Sequence, residues 1–143
     1  MKIRPLQKKD IKICSEIVGK NYNNKYQRLS ALELRDMFGT SQFKPLYYVA
    51  EEKGKILGFA GVMQSPMDYS VWHIFWVNVL PTEQKKGIGK KLVSKVIEVV
   101  KKKKDAHLIL LTALIPEYYK QHFSFKTIDK IDDSYDLMSL AIK

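Results

Sequence analysis

Two periods of apolar residues alternate along the chain and divide it into strands and helices. Residues 2–6 (KIRPL) suit a short first strand. In KKDIKICSEIVGKNYN, Ile11, Cys14, Ile17 and Val18 share one helical face, and Asp10 stands where that helix would begin. The polar, aromatic-dotted NYNNKYQRLS predicts a loop leading to a second helix, SALELRDMFG. There Ser30 would cap, Glu33 would complete a capping box, and Gly39 would lie just past the end. PLYYVAEEKGKILGFAGVMQ reads as a hairpin turning at Gly54, and YSVWHIFWVNVL as a long strand rich in Val, Ile, Phe and Trp.

After Pro81 the period changes. From Gly87 onward Ile88, Leu92, Val93, Val96, Ile97 and Val100 form one helical stripe, opposite Lys90, Lys91, Ser94, Lys95 and Glu98. HLILLTAL predicts a buried strand, IPEYYKQHF a short helix with proline in its first turn, and FKTI and YDLMSLAI two closing strands. The order β-α-α-β-β-β-α-β-α-β-β predicts an α/β fold, a mixed sheet flanked by helices. No repeat, low-complexity segment or Gly/Ser/Pro-rich linker interrupts the 143 residues, so a single domain over 1–143 is expected.

Composition narrows the class. No apolar run reaches the roughly 18–20 residues of a membrane helix, so no membrane partner is expected. The opening MKIRPLQKKDIKIC has no signal-peptide apolar region and reads as mature structure. A lone Cys14 excludes an internal disulfide and suits a cytoplasmic location. His107 and His122 lack partners at ligand spacing, so no metal is expected. The net charge of +10 is unusual and favours an anionic partner: nucleic acid, a membrane surface or a phosphorylated ligand. Lys101 to Lys104 suit a solvated helix C-terminus, whereas Lys85, Lys86 and Lys90 ring two glycines.

Those glycines lie in PTEQKKGIGKK, residues 81–91. A helix N-terminus carries unpaired N–H groups and about half a positive charge. Glycine removes the Cβ that would hold a phosphate away from them, so such a turn can seat a pyrophosphate by main chain alone. A P-loop pattern is absent, and a dinucleotide fingerprint fails because Leu92 stands where its third glycine belongs. What remains is Gln84-x-x-Gly87-x-Gly89.

This arrangement resembles the GNAT (Gcn5-related N-acetyltransferase) superfamily, whose acetyl-CoA loop reads [Gln/Arg]-x-x-Gly-x-[Gly/Ala]. The likeness runs along nearly the whole chain in order. IRPLQKKDI is similar to the usual opening, GKILGFAGV to the third strand, WVNVLP to the fourth, and YYKQHFSFK to the closing FYxxxGF-type segment. The resemblance implies a mostly antiparallel sheet of six to seven strands with about four helices, a bulged fourth strand and splayed strands four and five. It implies acetyl-CoA as co-substrate, its pantetheine arm on the backbone of Val77, Asn78 and Val79. The pyrophosphate would rest on N–H groups from Lys85 through Lys86, Gly87, Ile88 and Gly89 to Lys90, with Gln84 at the loop's start.

It also implies acetyl transfer to a primary amine, by direct attack in a ternary complex. A strand N–H near Val79 would polarise the thioester carbonyl. Eleven residues before Gln84, where the histone-acetyltransferase branch has a catalytic glutamate, this chain has His73, whose imidazole can take the amine proton. Asp68 is a weaker candidate, and a water chain would serve too. The thiolate acid implied is Tyr119, with Tyr118 as alternative. Tyr119 to Phe125 spans six residues against the family's five, and Ser124 takes the usual glycine place. A one-residue insertion near His122 or Phe123 would reconcile the two. Tyr22 and Tyr26 fall in the loop that lines the family's acceptor site. The amine acceptor is unidentified, and a monomer or homodimer is expected. The readings standing against this one are a basic nucleic-acid-binding module, disfavoured because no recognised nucleic-acid motif is present, and a CoA-binding fold without catalysis.

Overall fold

The computed structural model describes residues 1–142. Among them, seven strands form one sheet: β1 (Lys2–Pro5), β2 (Leu46–Glu52), β3 (Lys55–Gln64), β4 (Val71–Val79), β5 (Leu108–Ala113), β6 (Lys126–Ile131) and β7 (Tyr135–Ala141). They lie in the order β1-β2-β3-β4-β5-β7-β6. Neighbours are antiparallel except β4 and β5, which run parallel. Four α-helices flank the sheet: α1 (Ile11–Asn21), α2 (Asn24–Arg35), α3 (Ile88–Lys101) and α4 (Pro116–Phe123).

Helix α3 follows its apolar stripe. Leu92, Val93, Val96 and Val100 are fully buried, and Ile88 and Ile97 nearly so. Each contributes about 1.5–3 kcal/mol by leaving water. The β2–β3 hairpin turns at Lys53 and Gly54, both with positive φ (51° and 78°), the pairing that suits the twist of two antiparallel strands. Asp10 stands immediately before α1, as expected, but its side chain makes no capping bond to that helix. A 3₁₀ turn, Lys8–Asp10, precedes that helix, and the buried Asp10 carboxylate binds Arg4 at 2.7 and 3.2 Å and the Gln7 N–H at 2.8 Å.

The second helix departs from the sequence reading. It begins at Asn24, not Ser30, so the expected 21–30 loop is reduced to a two-residue connection, Tyr22 and Asn23. Asn23, extended at φ −165°, ψ 177°, accepts the Tyr26 N–H and caps it. Ser30 lies mid-helix, fully buried, with its hydroxyl bonded to the Gln27 carbonyl at 2.9 Å. The buried face is carried by Ser30 and Leu34, while Leu29 and Leu32 are exposed, which hides the period from an apolar count. Tyr26 is therefore helical. Gly39 closes a 3₁₀ turn in extended backbone (φ −84°, ψ −169°) rather than as a left-handed cap.

Candidate active site

The sheet opens where β4 and β5 part. Their pairing is Val71 with Leu108, Trp72 with Ile109 and His73 with Leu110. Beyond His73, β4 stays paired to β3 as far as Val79, and β5 to β7 as far as Ala113. A bulge bends β4 at this point. Two residues, Trp76 and Val77, lie between Phe75 and Asn78 opposite only Ala60 between Phe59 and Gly61, and Trp76 is left-handed at φ 52°. Gly58 permits close approach on the β3 side, since a Cβ there would meet the Asn78 carbonyl oxygen at 2.7 Å.

The glycine turn lies at the open end of this split. A 3₁₀ turn, Pro81–Glu83, brings the chain off β4, Lys85 takes φ 64°, and Gly87 takes φ 83° immediately before α3. No side chain caps the first turn of α3. Ile88 is buried and pins the turn to the core, while Gln84, Lys85, Lys86, Gly87 and Lys90 are exposed. Lys86 makes a surface ion pair with Glu83 at 3.4 Å. Nothing lies within 4 Å of a Cβ built at Gly87, and one at Gly89 would meet Val79 Cγ2 at 3.7 Å and the Tyr118 hydroxyl at 3.8 Å. These residues fit a pyrophosphate: glycine-shaped, uncapped N–H groups with cations alongside.

Val79 and Gln84 hold the turn in place. The Val79 carbonyl accepts from Asn21 Nδ2 at 3.0 Å and Gln84 Nε2 at 3.1 Å, so both lone pairs are engaged. Asn78 is buried, its side chain bound to Asn21. The Gln84 amide thus faces inward, although the residue is exposed. Asn21 drew no attention in the sequence, because its partners lie far along the chain.

His73 stands at the crotch of the split, in the last pair that β4 makes with β5. Its Nε2 is buried and has no hydrogen-bond partner among the described residues. Burial pushes the imidazole below its ordinary pKa, which keeps it neutral near pH 7. Asp68 instead binds the Ser70 N–H and hydroxyl at 2.9 and 2.7 Å, a turn-capping role.

Helix α4 brings the tyrosine pair. It runs unbroken through Phe123, and Ser124 takes the left-handed conformation (φ 63°) where the pattern has glycine. The Phe125 N–H bonds back to the Tyr119 carbonyl and the Ser124 N–H to the Lys120 carbonyl, both at 3.2 Å, closing the helix end. The helix shows no break near His122 or Phe123. Tyr119 packs on Phe123 and Phe125, and burial, helped by Tyr118 and Tyr22, pushes its hydroxyl up to about 12. Burial raises Tyr118 as well. On the α1 side Tyr22, Tyr26 and Trp76 form an edge-to-face ladder with centroids 5.8 and 6.5 Å apart, and Trp76 Nε1 donates to Glu33 at 3.0 Å.

A cleft of ≈ 520 Å³ between α3, the end of α4 and the end of β7 touches Phe123 and Ser124 but holds none of His73, Val79, Gln84, Gly87, Gly89, Tyr118 or Tyr119. Among the described residues no helix is long and apolar enough to cross a membrane, and no cluster of His, Cys, Asp or Glu could hold a metal.

The chain belongs to the acetyltransferase (GNAT) family, whose sequence model matches residues 11–123. Solved structures share the fold from end to end at low identity. A GNAT-family protein from Desulfovibrio desulfuricans superposes with TM-score 0.86 at 14% identity, covering 99% of each chain. An aminoglycoside 6′-N-acetyltransferase complexed with coenzyme A gives 0.80 at 16%, covering 100% of this chain and 98% of the other. The PaiA N-acetyltransferase from Thermoplasma acidophilum, in complex with coenzyme A, gives 0.73 at 19%, covering 98% of each. No curated protein sequence matches significantly.

Proposed function

We propose that this protein is an acetyl-CoA-dependent N-acetyltransferase acting on a primary amine in a ternary complex. The observation that carries the proposal is the split between β4 and β5 opening onto the uncapped, glycine-shaped start of α3. Family membership supports it, as do neighbours of the same fold that hold coenzyme A.

Acetyl-CoA would supply the acetyl group as an activated thioester. The N–H groups from Lys85 to Lys90 hold the pyrophosphate, and Lys85, Lys86 and Lys90 stand around it as cations. With the Val79 carbonyl already engaged, Val77 and the remaining strand groups of Asn78 and Val79 are left for the pantetheine arm, including an N–H near Val79 to polarise the carbonyl. His73 Nε2 takes a proton from the attacking amine, directly or through water. Tyr119 presents its hydroxyl to the leaving sulfur.

Melting with and without acetyl-CoA tests the seat. Ligand at a hundred times its Kd adds about 2.7 kcal/mol, or roughly 5–10 °C for a chain of this size. An unchanged Tm at saturating ligand sinks the cofactor assignment. Free-thiol release across a panel of amines and N-terminal peptides then separates a turning-over enzyme from a fold that only binds.

The His73 assignment makes a pH prediction. A lowered imidazole pKa means the neutral, proton-accepting form dominates above about 6.5 and is lost as pH falls through the folded value. The wild-type rate should therefore fall on an acid limb lying below 6.5. His73→Gln should remove that limb and lower kcat by about a hundredfold or more. An unaltered profile in His73→Gln would dismiss the histidine as base.

A further inference from the structure

Two side-chain amides, Asn21 and Gln84, converge on the Val79 carbonyl, and a third, Asn78, is tied to Asn21. That convergence settles their orientation. The Val79 carbonyl can only accept, so both amides facing it present nitrogen: Asn21 Nδ2 at 3.0 Å and Gln84 Nε2 at 3.1 Å. Asn21 Oδ1 then accepts from Gln84 Nε2 at 3.1 Å, and Asn21 Nδ2 also donates to Asn78 Oδ1 at 3.0 Å. Asn78 is only 4% exposed, so its oxygen depends on this donor. Every contact in the cluster passes through Asn21 or the Val79 carbonyl.

Asn21 is the last residue of α1, and the connection to α2 is short. Tyr22 leaves the helix, Asn23 caps α2, and Tyr26 packs edge-to-face on Trp76 at the β4 bulge. Gln84 in turn precedes, within three residues, the two left-handed positions of the glycine turn, Lys85 and Gly87. One amide thus joins the end of α1 to the last carbonyl of β4 and to the first residue of the phosphate-seating turn.

We propose that Asn21 is a positioning residue: it locks the glycine turn to the α1–α2 connection, so that the cofactor seat and the acceptor-side aromatic ladder behave as one rigid unit. The tie itself consists of the hydrogen bonds just described; its consequence for catalysis rests on the acetyltransferase function proposed for the site. With it intact, a ligand in the turn steadies Tyr22 and Tyr26, which then meet the amine in a fixed arrangement. Without it, the buried Asn78 oxygen loses its donor and the Val79 carbonyl keeps only Gln84, whose amide in turn loses the Asn21 oxygen that helps to hold it.

Two substitutions separate shape from hydrogen bonding. Asn21→Leu removes the donors at similar volume, and Asn21→Asp keeps the shape but sets a carboxylate against two oxygens. Hydrogen exchange of the ligand-free protein is the primary readout. Changing Asn21 should speed exchange of the 85–90 amides roughly tenfold, the effect of losing one such bond. Reciprocally, Gln84→Leu, which leaves α1 untouched, should speed exchange at 22–26, while β6 and β7 stay at wild-type rates. In the presence of coenzyme A, wild-type protein should gain protection at 22–26, and each variant should lose that gain along with roughly tenfold in affinity. The KM for the amine should rise more than kcat falls.

Wild-type exchange at 85–90 in both Asn21 variants, or at 22–26 in Gln84→Leu, overturns the tie. If Asn21→Asp does not fold, Asn21→Leu and Gln84→Leu decide. Should wild-type protein bind no coenzyme A, the acetyltransferase function fails, while the ligand-free exchange rates still decide the role of Asn21.

Discussion

Gly89→Glu should abolish coenzyme A binding while leaving the protein folded. The folded state has room for the change. A Cβ at Gly89 meets its nearest neighbours at 3.7 and 3.8 Å, ordinary van der Waals contact, and the position is not left-handed. A carboxylate in the first turn of α3 is favoured by the helix dipole by a few tenths of a kcal/mol, so the melting temperature should hold or rise slightly. The seat itself cannot tolerate the change. The new carboxylate would sit on the N–H groups meant for phosphate and repel it, and even at an effective dielectric of 20 two charges ~4 Å apart cost about 4 kcal/mol. That is roughly a thousandfold in affinity, which titration calorimetry would record as no binding. Gly87→Ala provides the contrast, because nothing crowds its Cβ but its backbone is left-handed. It should cost about 1 kcal/mol of stability and weaken coenzyme A only modestly. Retained affinity in Gly89→Glu would place the phosphates elsewhere.

The unequal demands at the two glycines also show what a sequence can carry. The turn was legible because it sits between a β-rich run and a strict helical stripe, and Ile88, Leu92, Val93, Val96, Ile97 and Val100 are all buried as their spacing requires. The β2–β3 hairpin was legible for the same reason, since Gly54 takes a conformation that only its neighbourhood of alternating apolar residues demands. The second helix was not, because its buried face carries Ser30 and an asparagine caps it inside a polar, loop-like run. Nor does any local rule mark Trp76 as the left-handed residue of β4, since a bulge answers to the register of β3 rather than to the tryptophan itself. The Asn21, Asn78 and Gln84 cluster lies furthest from sequence reasoning, with partners 57 and 63 positions apart. For His73 the sequence supplies a register and the fold supplies the reason to take it seriously: a buried nitrogen without a partner at the point where two strands part.

Tyr119→Phe should lower kcat by about a hundredfold while leaving coenzyme A affinity nearly unchanged. Tyr118→Phe should do the reverse, weakening coenzyme A a few-fold with little change in kcat. In the proposed site the two hydroxyls would serve different ends of the split. That of Tyr118 lies 3.8 Å from the position of a Gly89 Cβ, at the end proposed for phosphate. Tyr119 instead packs its ring on Phe123 and Phe125, away from the Gly89 position. Burial pushes Tyr119 up to about 12, so it stays protonated throughout the working range. A thiol ionises near 8.5, so full proton transfer from such a phenol to a thiolate runs uphill by about 5 kcal/mol. In the proposed role Tyr119 would therefore act chiefly by hydrogen-bonding to the developing thiolate, an interaction stronger in the transition state than before it. The pH profile should accordingly carry no tyrosine limb below about pH 10, in the wild type or in Tyr118→Phe. If Tyr119→Phe turns over at the wild-type rate, the assignment is wrong; if Tyr118→Phe takes the hundredfold loss instead, the donor stands one residue earlier on α4.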